Sequence, residues 1–388
     1  MILKNMKKIK ISSEIEVTFD DILLIPQYSE ISFEDIDKKI DISSKLTKTI
    51  NIKIPIVSSP MASVTELDMA LLMAEMGGIG IIHSFMDKNR QIYQIRKFKQ
   101  IYPNLLVGAA VYDGLTDLFS HVENLIKEKA DVIVLDTYHA YNKRTLEVVK
   151  RLKNKFGNNI QLIVGNVVTK EATKTLCKFG ADGIKVGIGP GSHCTTRLVT
   201  GCGRPQITSI YECAIAAKKF KVPIMADGGI NFSGDIVKAL FFGANTVMLG
   251  GLLAGCDQSP GEIIYLGEKK YKKTFGNCSK ELFLKQKKDN GGWFKNFKRN
   301  IKNIFFRNLI KNEIKEINYN FIAEGVSGLI EYKGDGREII KNIVGGLKRG
   351  FWYLGVSNIN QLHNKKKDFC LVSFSTLKEN APRNLKLV

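Results

Sequence analysis

The sequence predicts an α/β protein whose core is a closed (β/α)8 TIM barrel. Between residues 54 and 250, eight short runs rich in apolar and β-branched residues follow one another, and helical patterns separate most of them. An open doubly wound sheet is the alternative architecture for such an alternation. Eight consecutive units without a long break favour the closed barrel.

Each predicted element follows from the local pattern. The strands are continuous apolar runs, as expected where both faces of a strand are covered, and they lie at 54–58, 79–83, 105–111, 131–136, 160–166, 183–187, 222–227 and 245–250. The helices have apolar residues at helical spacing, and they lie at 66–75, 118–129, 144–155, 170–179, 210–220, 234–242 and 337–347.

We divide the chain into a catalytic barrel formed by residues 1–266 and 323–363, a long basic insertion or flap at 267–322, and a loose polar tail at 364–388. The insertion follows the eighth strand and carries apolar residues at near-helical spacing with lysines and arginines between them: Phe294, Phe297, Ile301, Phe305 and Leu309. This pattern indicates either a helix packed on the barrel with a solvated basic face, or contact with nucleic acid or an anionic membrane surface.

Composition limits the functional classes. The chain of 388 residues has a formal net charge of +20, which reflects either a lysine-rich surface throughout or an anionic partner. No uncharged apolar run reaches the ~18 residues of a membrane span. Seven scattered cysteines without a CxxC pair indicate a reducing compartment rather than a disulfide framework, so we expect a cytoplasmic protein.

A cysteine in a glycine-rich loop is the leading candidate for a catalytic nucleophile. Cys194 lies in the segment GIGPGSHCTTR at 187–197, directly after the predicted sixth strand. Its neighbours are glycine, serine, histidine and threonine, whereas a core cysteine would have apolar neighbours. Ligands of barrel enzymes bind at the carboxyl ends of the strands, so this thiol is predicted at the mouth of the barrel.

Polar and flexible residues follow other strands at the same end of the barrel. Ser59 and Met61 follow the first strand, Asp136 ends the fourth, and Asn166 ends the fifth. Because the carboxyl ends of all eight strands meet at one face, we expect these side chains to share one site.

Two glycine pairs follow the last two strands. Asp227 is followed by a pair that includes Gly229, and Gly250 and Gly251 follow the eighth strand. Exposed backbone N–H groups in such loops bind anions, so the pairs predict a phosphate site.

The chain resembles the IMP dehydrogenase/GMP reductase family. The resemblance is carried by the Cys194 loop and by the segments TFDDILLIP at 18–26, SSPM at 58–61, GNVVT at 165–169, ADGGI at 226–230, EGVSG at 324–328 and GGL at 345–347. It implies a purine nucleotide monophosphate as substrate, NAD or NADP as cofactor, and a homotetramer. The CBS modules usual in the family are missing near residues 99–104, which implies a bare catalytic barrel.

The resemblance also implies a role for each residue of the site. Cys194 would attack C2 of the purine, with Thr196 and Glu324 handling protons. The 5′-phosphate would be held by Ser192, Gly229, Gly250 and Gly251. Asp227 would accept the ribose hydroxyls, Ser59, Met61 and Asn166 would line the nucleotide pocket, and Asp136 would face the nicotinamide. A monovalent cation such as K⁺ would bind at Gly189, Gly191 and Cys194.

One departure from the family bears on the reaction. Dehydrogenases of the family carry an Arg-Tyr pair on the flap, which activates the hydrolytic water, and no Arg-Tyr dipeptide occurs in this sequence. Gly292, Trp293 and Phe294 stand near the expected place, and GNCS replaces the usual GMGS at 276–279. We expect an IMP dehydrogenase. A GMP reductase, or a relative that binds nucleotide or nucleic acid without turnover, is the alternative.

Overall fold

The computed structural model describes residues 15–284 and 322–377. Its strands, numbered along the chain, are β1 (Ile22–Leu24), β2 (Ser44–Lys45), β3 (Asn51–Ile52), β4 (Ile56–Ser58), β5 (Ile79–Ile82), β6 (Val107–Val111), β7 (Val132–Asp136), β8 (Leu162–Val167), β9 (Gly183–Val186), β10 (Ile224–Asp227), β11 (Thr246–Leu249), β12 (Ile263–Leu266), β13 (Lys269–Phe275), β14 (Ser327–Glu331) and β15 (Phe369–Leu371). Strands β4 to β11 close into an eight-stranded barrel, which confirms the predicted fold.

The barrel is parallel throughout, and its first and last strands pair with Leu249 opposite Ser58. Alternate residues of each strand face the interior and the surrounding helices. In β7, Val132 and Val134 belong to the interior cluster, whereas Ile133 and Leu135 belong to the outer one. This double burial explains why the strands are continuous apolar runs.

The helices, numbered separately, are α1 (Ile36–Lys39), α2 (Leu67–Glu75), α3 (Lys88–Ile101), α4 (Leu118–Lys127), α5 (Lys143–Phe156), α6 (Lys170–Lys178), α7 (Thr196–Thr200), α8 (Gln206–Lys218), α9 (Ser233–Phe241), α10 (Gly336–Tyr353), α11 (Ile359–Asn364) and α12 (Phe374–Leu377). None of the helices in the described ranges has both the length and the apolar character that crossing a bilayer requires.

The short helices α1, α7, α11 and α12 were not predicted, and among the longer helices α3 and α10 differ most from expectation. Helix α3 was not among the predicted helices, because its buried face is partly polar and includes Gln91 and Gln94. The side chain of Asp87 accepts backbone N–H groups at its first turn. Helix α10 runs beyond the predicted end at residue 347, since Phe351 is fully buried against the barrel.

An antiparallel sheet of three strands follows the barrel in the chain and was not foreseen. Strand β13 pairs with β12 and with β14, and the boundary drawn at 266/267 falls in the turn between β12 and β13. The buried ammonium of Lys272 donates to the carbonyl oxygens of Ser259 at 2.5 Å and Cys256 at 2.9 Å, which ties the sheet to the loop after β11. The amphipathic basic stretch of the insertion lies outside the described residues.

Part of the C-terminal segment is ordered against the start of the chain. Strand β15 pairs antiparallel with β1, and Phe369 meets the ring of Phe242 edge-on at 5.3 Å between centroids. The prediction of a loose tail is therefore wrong for this strand, because its aromatic residue finds an apolar partner on the barrel. Residues 378–388 of the predicted tail lie outside the described residues.

A buried polar cluster lies beside β5. The Glu66 carboxylate accepts hydrogen bonds from Arg90 at 2.5 Å and Gln94 at 2.8 Å, and His83 Nε2 lies 3.5 Å away. Burial alone would raise the pKa of Glu66, but the hydrogen bond and charge of His83 and the charge of Arg90 outweigh it and lower the pKa to about 2. Glu66 thus stabilises the fold in its ionised form.

We predict that Glu66→Gln lowers the free energy of unfolding at pH 7 by about 1–2 kcal/mol, since neighbouring donors lose a charged acceptor. The folded-state pKa is depressed, so the contribution of Glu66 is present above its unfolded pKa and is lost as the pH falls from about 4.5 towards 2. Urea unfolding at several pH values measures this.

Glu338→Gln is the matched control, because Glu338 pairs with Lys341 at 2.8 Å on the exposed face of α10. Its effect should stay within about 0.5 kcal/mol. A difference between wild type and Glu66→Gln that stays constant from pH 7 to pH 3 would contradict the assignment.

Candidate active site

A cavity of about 770 Å³ opens at the carboxyl ends of the barrel strands. This cavity is lined by every residue predicted to act in catalysis or to contact substrate, cofactor or cation: Ser59, Met61, Asp136, Asn166, Gly189, Gly191, Ser192, Cys194, Thr196, Asp227, Gly229, Gly250, Gly251 and Glu324. The volume is in the range of small-molecule sites. The structure thus brings the predicted residues together, while their individual roles stay predictions.

The loop after β9 reverses tightly before it reaches the nucleophile. Gly187 has a φ of +145°, and a Cβ at this position would lie 2.1 Å from the Asp227 carbonyl oxygen. Arg197, in helix α7, donates from Nε to the Ile188 carbonyl oxygen at 3.1 Å and holds the start of the loop. A turn in which the Cys194 N–H donates to the Gly191 carbonyl oxygen at 3.0 Å then presents the thiol.

Three side chains form a hydrogen-bonded chain that starts at the thiol. Cys194 Sγ lies 3.2 Å from Thr196 Oγ1, and the Thr196 hydroxyl donates to Glu324 Oε2 at 2.7 Å. The threonine oxygen can accept the thiol proton while its own proton moves towards the carboxylate. This arrangement offers a route by which the thiol proton could leave, and the thiolate that would remain is the nucleophilic form of cysteine.

Glu324 is far from Thr196 in sequence, and backbone pairing brings it to the loop. The Thr195 N–H donates to the Glu324 carbonyl oxygen at 2.8 Å, and the Val326 N–H donates to the His193 carbonyl oxygen at 2.9 Å. The segment before β14 therefore lies against the Cys194 loop like a short strand. These main-chain hydrogen bonds fix the backbone at Glu324 and so place its carboxylate beside Thr196.

The proposed phosphate end of the cavity is formed by loops that converge from three strands. A Cβ on Gly251 would lie 3.0 Å from Ser192 Oγ, and one on Gly229 would lie 3.2 Å from Pro190 Cβ. Lys333 also lines this part of the cavity and donates from Nζ to the Leu252 carbonyl oxygen at 3.2 Å. Backbone N–H groups, a hydroxyl and an ammonium together suit an anion.

A buried lysine that sequence reasoning missed holds the polar side chains of the barrel together. Lys185, in β9, is 2 % exposed. Its ammonium contacts Asp136 Oδ1 at 2.8 Å and Asp227 Oδ2 at 2.6 Å, and it donates to Asn166 Oδ1. A Cβ on Gly165 would lie 2.5 Å from Lys185 Cβ, so the neighbouring strand leaves room for the lysine stem.

The charge state of Lys185 follows from these partners. Burial alone would lower the pKa of Lys185, but the charges of Asp136 and Asp227 outweigh it and raise the pKa above its usual value. The side chain is therefore an ammonium at neutral pH, and it neutralises part of the negative charge on the cavity wall. An isolated Lys within an apolar run was the signal that could have revealed this site.

The cavity contains a second cysteine with different chemistry. Burial raises the pKa of Cys278 to about 12, and the negative charges of Glu324 and Asp136 act in the same direction. Cys278 therefore stays a thiol at neutral pH. Cys194, with its hydrogen-bonded route to a carboxylate, is the better placed nucleophile.

Comparisons with known proteins agree with this geometry. A model of the family described as IMP dehydrogenase / GMP reductase domain matches residues 16–383. Inosine-5′-monophosphate dehydrogenase of Cryptosporidium parvum is 38% identical over 413 residues, which cover 96% of each chain. The protein of the same name from Borreliella burgdorferi is 37% identical over 424 residues, with 97% of this chain and 98% of the relative covered.

A third relative shows a difference in length. Inosine-5′-monophosphate dehydrogenase of Aquifex aeolicus is 32% identical, with 96% of each chain covered. The alignment spans 498 positions, whereas this chain has 388 residues. The relative therefore carries residues for which this chain has no counterpart.

We predict that Lys185→Met lowers the free energy of unfolding by about 3–5 kcal/mol, because the partly buried carboxylates of Asp136 and Asp227 lose their common buried cation. Lys341→Met removes an exposed partner of Glu338 and should change it by less than about 0.5 kcal/mol. Urea unfolding of both variants at pH 7 measures the difference. Equal stability of the two variants would refute the role given to Lys185.

Proposed function

Since this chain belongs to the IMP dehydrogenase/GMP reductase family, we propose that it is an IMP dehydrogenase, an NAD-dependent oxidoreductase. It converts inosine 5′-monophosphate, NAD and water to xanthosine 5′-monophosphate and NADH. The relatives carry that name at 37–38% identity over nearly the whole chain. The proposal depends on one observation: the side chains of Cys194, Thr196 and Glu324 are joined by hydrogen bonds at the cavity wall.

The cavity offers a position for each part of the substrate. The phosphate would meet the Ser192 hydroxyl and the backbone at Gly229, Gly250 and Gly251. Asp227, already hydrogen-bonded through Oδ2 to Asn166 at 2.9 Å, would accept the ribose hydroxyls.

The purine would lie among residues from two strand ends. Ser59 and Met61 follow β4 and Asn166 lies at the end of β8, and all three line the cavity that also contains Cys194. Met61 is close to the proposed phosphate loop, because a Cβ on Gly250 would lie 3.0 Å from its sulfur. This placement would present C2 of the ring to the thiolate.

The covalent step follows from the hydrogen bonds. The Cys194 thiolate would attack C2 of IMP and form the C–S bond, while the thiol proton passes through Thr196 to Glu324. NAD, when bound, accepts the hydride that leaves C2. Asp136 lines the cavity and would face the nicotinamide.

The thioimidate on Cys194 is then hydrolysed. Water adds to C2, the C–S bond breaks, and xanthosine 5′-monophosphate leaves. No Arg-Tyr dipeptide occurs in the sequence, and Trp293 and Phe294 lack a proton-accepting group and lie outside the described residues. Once Glu324 has released the thiol proton to solvent, Thr196 and Glu324 would therefore also accept the proton of the attacking water, and this proton would return to the Cys194 sulfur as the C–S bond breaks.

The proposed monovalent cation would bind to main-chain oxygens. Those of Gly189, Gly191 and Cys194 belong to the same loop, and K⁺ there would order the loop that carries the thiol. The Gly191 oxygen already accepts the Cys194 N–H at 3.0 Å, so a cation would share that oxygen. In residues 15–284 and 322–377, no three His, Cys, Asp or Glu side chains are grouped to hold a metal.

We also propose a homotetramer in the cytoplasm, built from bare barrels without CBS modules. The shorter length relative to the Aquifex protein supports the absence of these modules. All seven cysteines are free, which supports a reducing compartment. We propose a catalytic domain of residues 1–266 and 323–363 that contains the barrel, with the insertion at 267–322 and the tail at 364–388. Light scattering of the purified protein tests the tetramer.

The activity itself is tested with two substrate pairs. IMP with NAD should give NADH and xanthosine 5′-monophosphate, and NADP should replace NAD poorly. GMP with NADPH should give no turnover, and nothing in the fold or the comparisons favours that reaction. NADPH consumption with GMP would establish the reductase instead. Nucleotide binding without turnover in either pair would establish a non-catalytic relative.

We predict that Cys194→Ala reduces turnover of IMP by at least about 10³-fold, because no covalent intermediate forms. IMP binding should remain within about fivefold of wild type, since the phosphate and ribose contacts do not involve the sulfur. Steady-state kinetics and titration calorimetry measure the two effects.

The matched control is Cys370→Ala, because Cys370 is exposed on β15. Its kinetics should equal those of wild type. If Cys194→Ala retained more than a tenth of the activity, another residue would be the nucleophile.

A further inference from the structure

We infer that His193 is a positioning residue that directs the Ser192 hydroxyl onto the substrate phosphate. It lies at the centre of a chain of hydrogen bonds that begins at a backbone amide in the core. The inference rests on the proposed function, because it takes the phosphate of IMP to bind at Ser192. It makes His193, which directly precedes Cys194 in the sequence, a determinant of the affinity for IMP.

Both imidazole nitrogens of His193 have partners. Nε2 lies 3.0 Å from Thr274 Oγ1, and Nδ1 lies 3.2 Å from Ser192 Oγ. Thr274 Oγ1 lies 3.1 Å from Ser63 Oγ, which in turn accepts the N–H of Phe275 at 3.3 Å. The chain thus runs from strand β13 through the histidine to the cavity wall.

The inner members of the chain are fixed by burial. Ser63 is 0 % exposed and Thr274 is 3 % exposed. Ser63 lies just after β4, and Thr274 lies in β13, so two separate parts of the fold hold the inner end. Ser192 is exposed and lines the cavity, where it can meet a ligand.

The direction of the hydrogen bonds follows from the ligand end. Burial lowers the pKa of His193, so the imidazole is neutral at pH 7, with one donor and one acceptor nitrogen. When Ser192 donates to a phosphate oxygen, its Oγ accepts the Nδ1–H, Nε2 accepts the Thr274 hydroxyl, and Thr274 accepts from Ser63. The Ser63 hydroxyl can make this bond because it lies 3.1 Å from Thr274 Oγ1, and its other acceptor is the Phe275 carbonyl oxygen at 3.2 Å.

The consequence is an oriented hydroxyl at the cavity. Because Ser192 Oγ accepts from His193, its own proton is free to point away from the imidazole. A phosphate oxygen only accepts hydrogen bonds, so this orientation is the one it requires. Gly251 lies on the same side, since its Cβ would be 3.0 Å from Ser192 Oγ. Without His193, the Ser192 hydroxyl would rotate freely in the unbound protein. The entropy lost in fixing it when the phosphate binds would then reduce the affinity.

The test separates this role from a structural one. His193→Leu should raise KM for IMP about tenfold and leave kcat within twofold, because the chemical step does not use the imidazole. His193→Asn, which keeps a donor near the Nδ1 position, should recover most of the affinity. A fall in kcat with unchanged KM would overturn the inference.

Thr274 provides a matched pair of variants behind the histidine. Thr274→Val keeps the shape but removes the hydroxyl, and it should raise KM for IMP about three- to fivefold. Thr274→Ser keeps the hydroxyl and should restore the wild-type KM. Equal KM values for Thr274→Val and Thr274→Ser would overturn the chain, because only the hydroxyl distinguishes them.

Binding measurements complete the test. Titration calorimetry should show that Ser192→Ala weakens IMP binding about tenfold, and that adding His193→Leu to it causes no further loss. Independent, additive losses would refute the coupling. Wild-type protein that binds no IMP would overturn the proposed function, whereas normal IMP binding by the His193 and Thr274 variants would overturn only the role of His193.

Discussion

The site depends on one buried cation shared by two carboxylates. Lys185 comes from β9, and Asp136 and Asp227 come from the ends of β7 and β10, so one ammonium joins strands on both sides of its own. Without it, two carboxyl groups would face each other in this partly buried wall with no shared cation. The lysine therefore sets the charge of the cavity while also fixing the position of the groups that would contact ribose and cofactor.

Main-chain pairing supplies the second constraint, and it concerns the nucleophile. Cys194 and Gly325 form an isolated antiparallel bridge, and Ser279 pairs with Gly325 on its other side. Three segments thus meet at Gly325: the loop after β9, the segment after β13 and the segment before β14. The proposed proton transfer from Cys194 to Glu324 depends on this meeting, because the two residues lie far apart in the chain and these main-chain contacts bring their side chains together.

The sequence was sufficient for the barrel and for the membership of the site, since continuous apolar runs and strand-end residues carry strong local signals. It was insufficient where the signal is non-local. Lys185 looked like part of an apolar strand because its carboxylate partners lie on other strands. Helix α3 has a weakly apolar face because Gln91 donates to buried backbone carbonyl oxygens of the neighbouring strands and Gln94 donates to Glu66. The role of His193 depends on Thr274, which only the fold brings near.

The pairing of β1 with β15 has a consequence for the order in which the molecule forms. Ile22 is fully buried, yet its partner strand is more than three hundred residues later, with Leu371 opposite it. During synthesis on the ribosome, the first strand must wait without its partner until almost the whole barrel has emerged. The β1–β15 sheet therefore forms late in biogenesis. The unpaired edge of β1 would be exposed to chaperones throughout elongation.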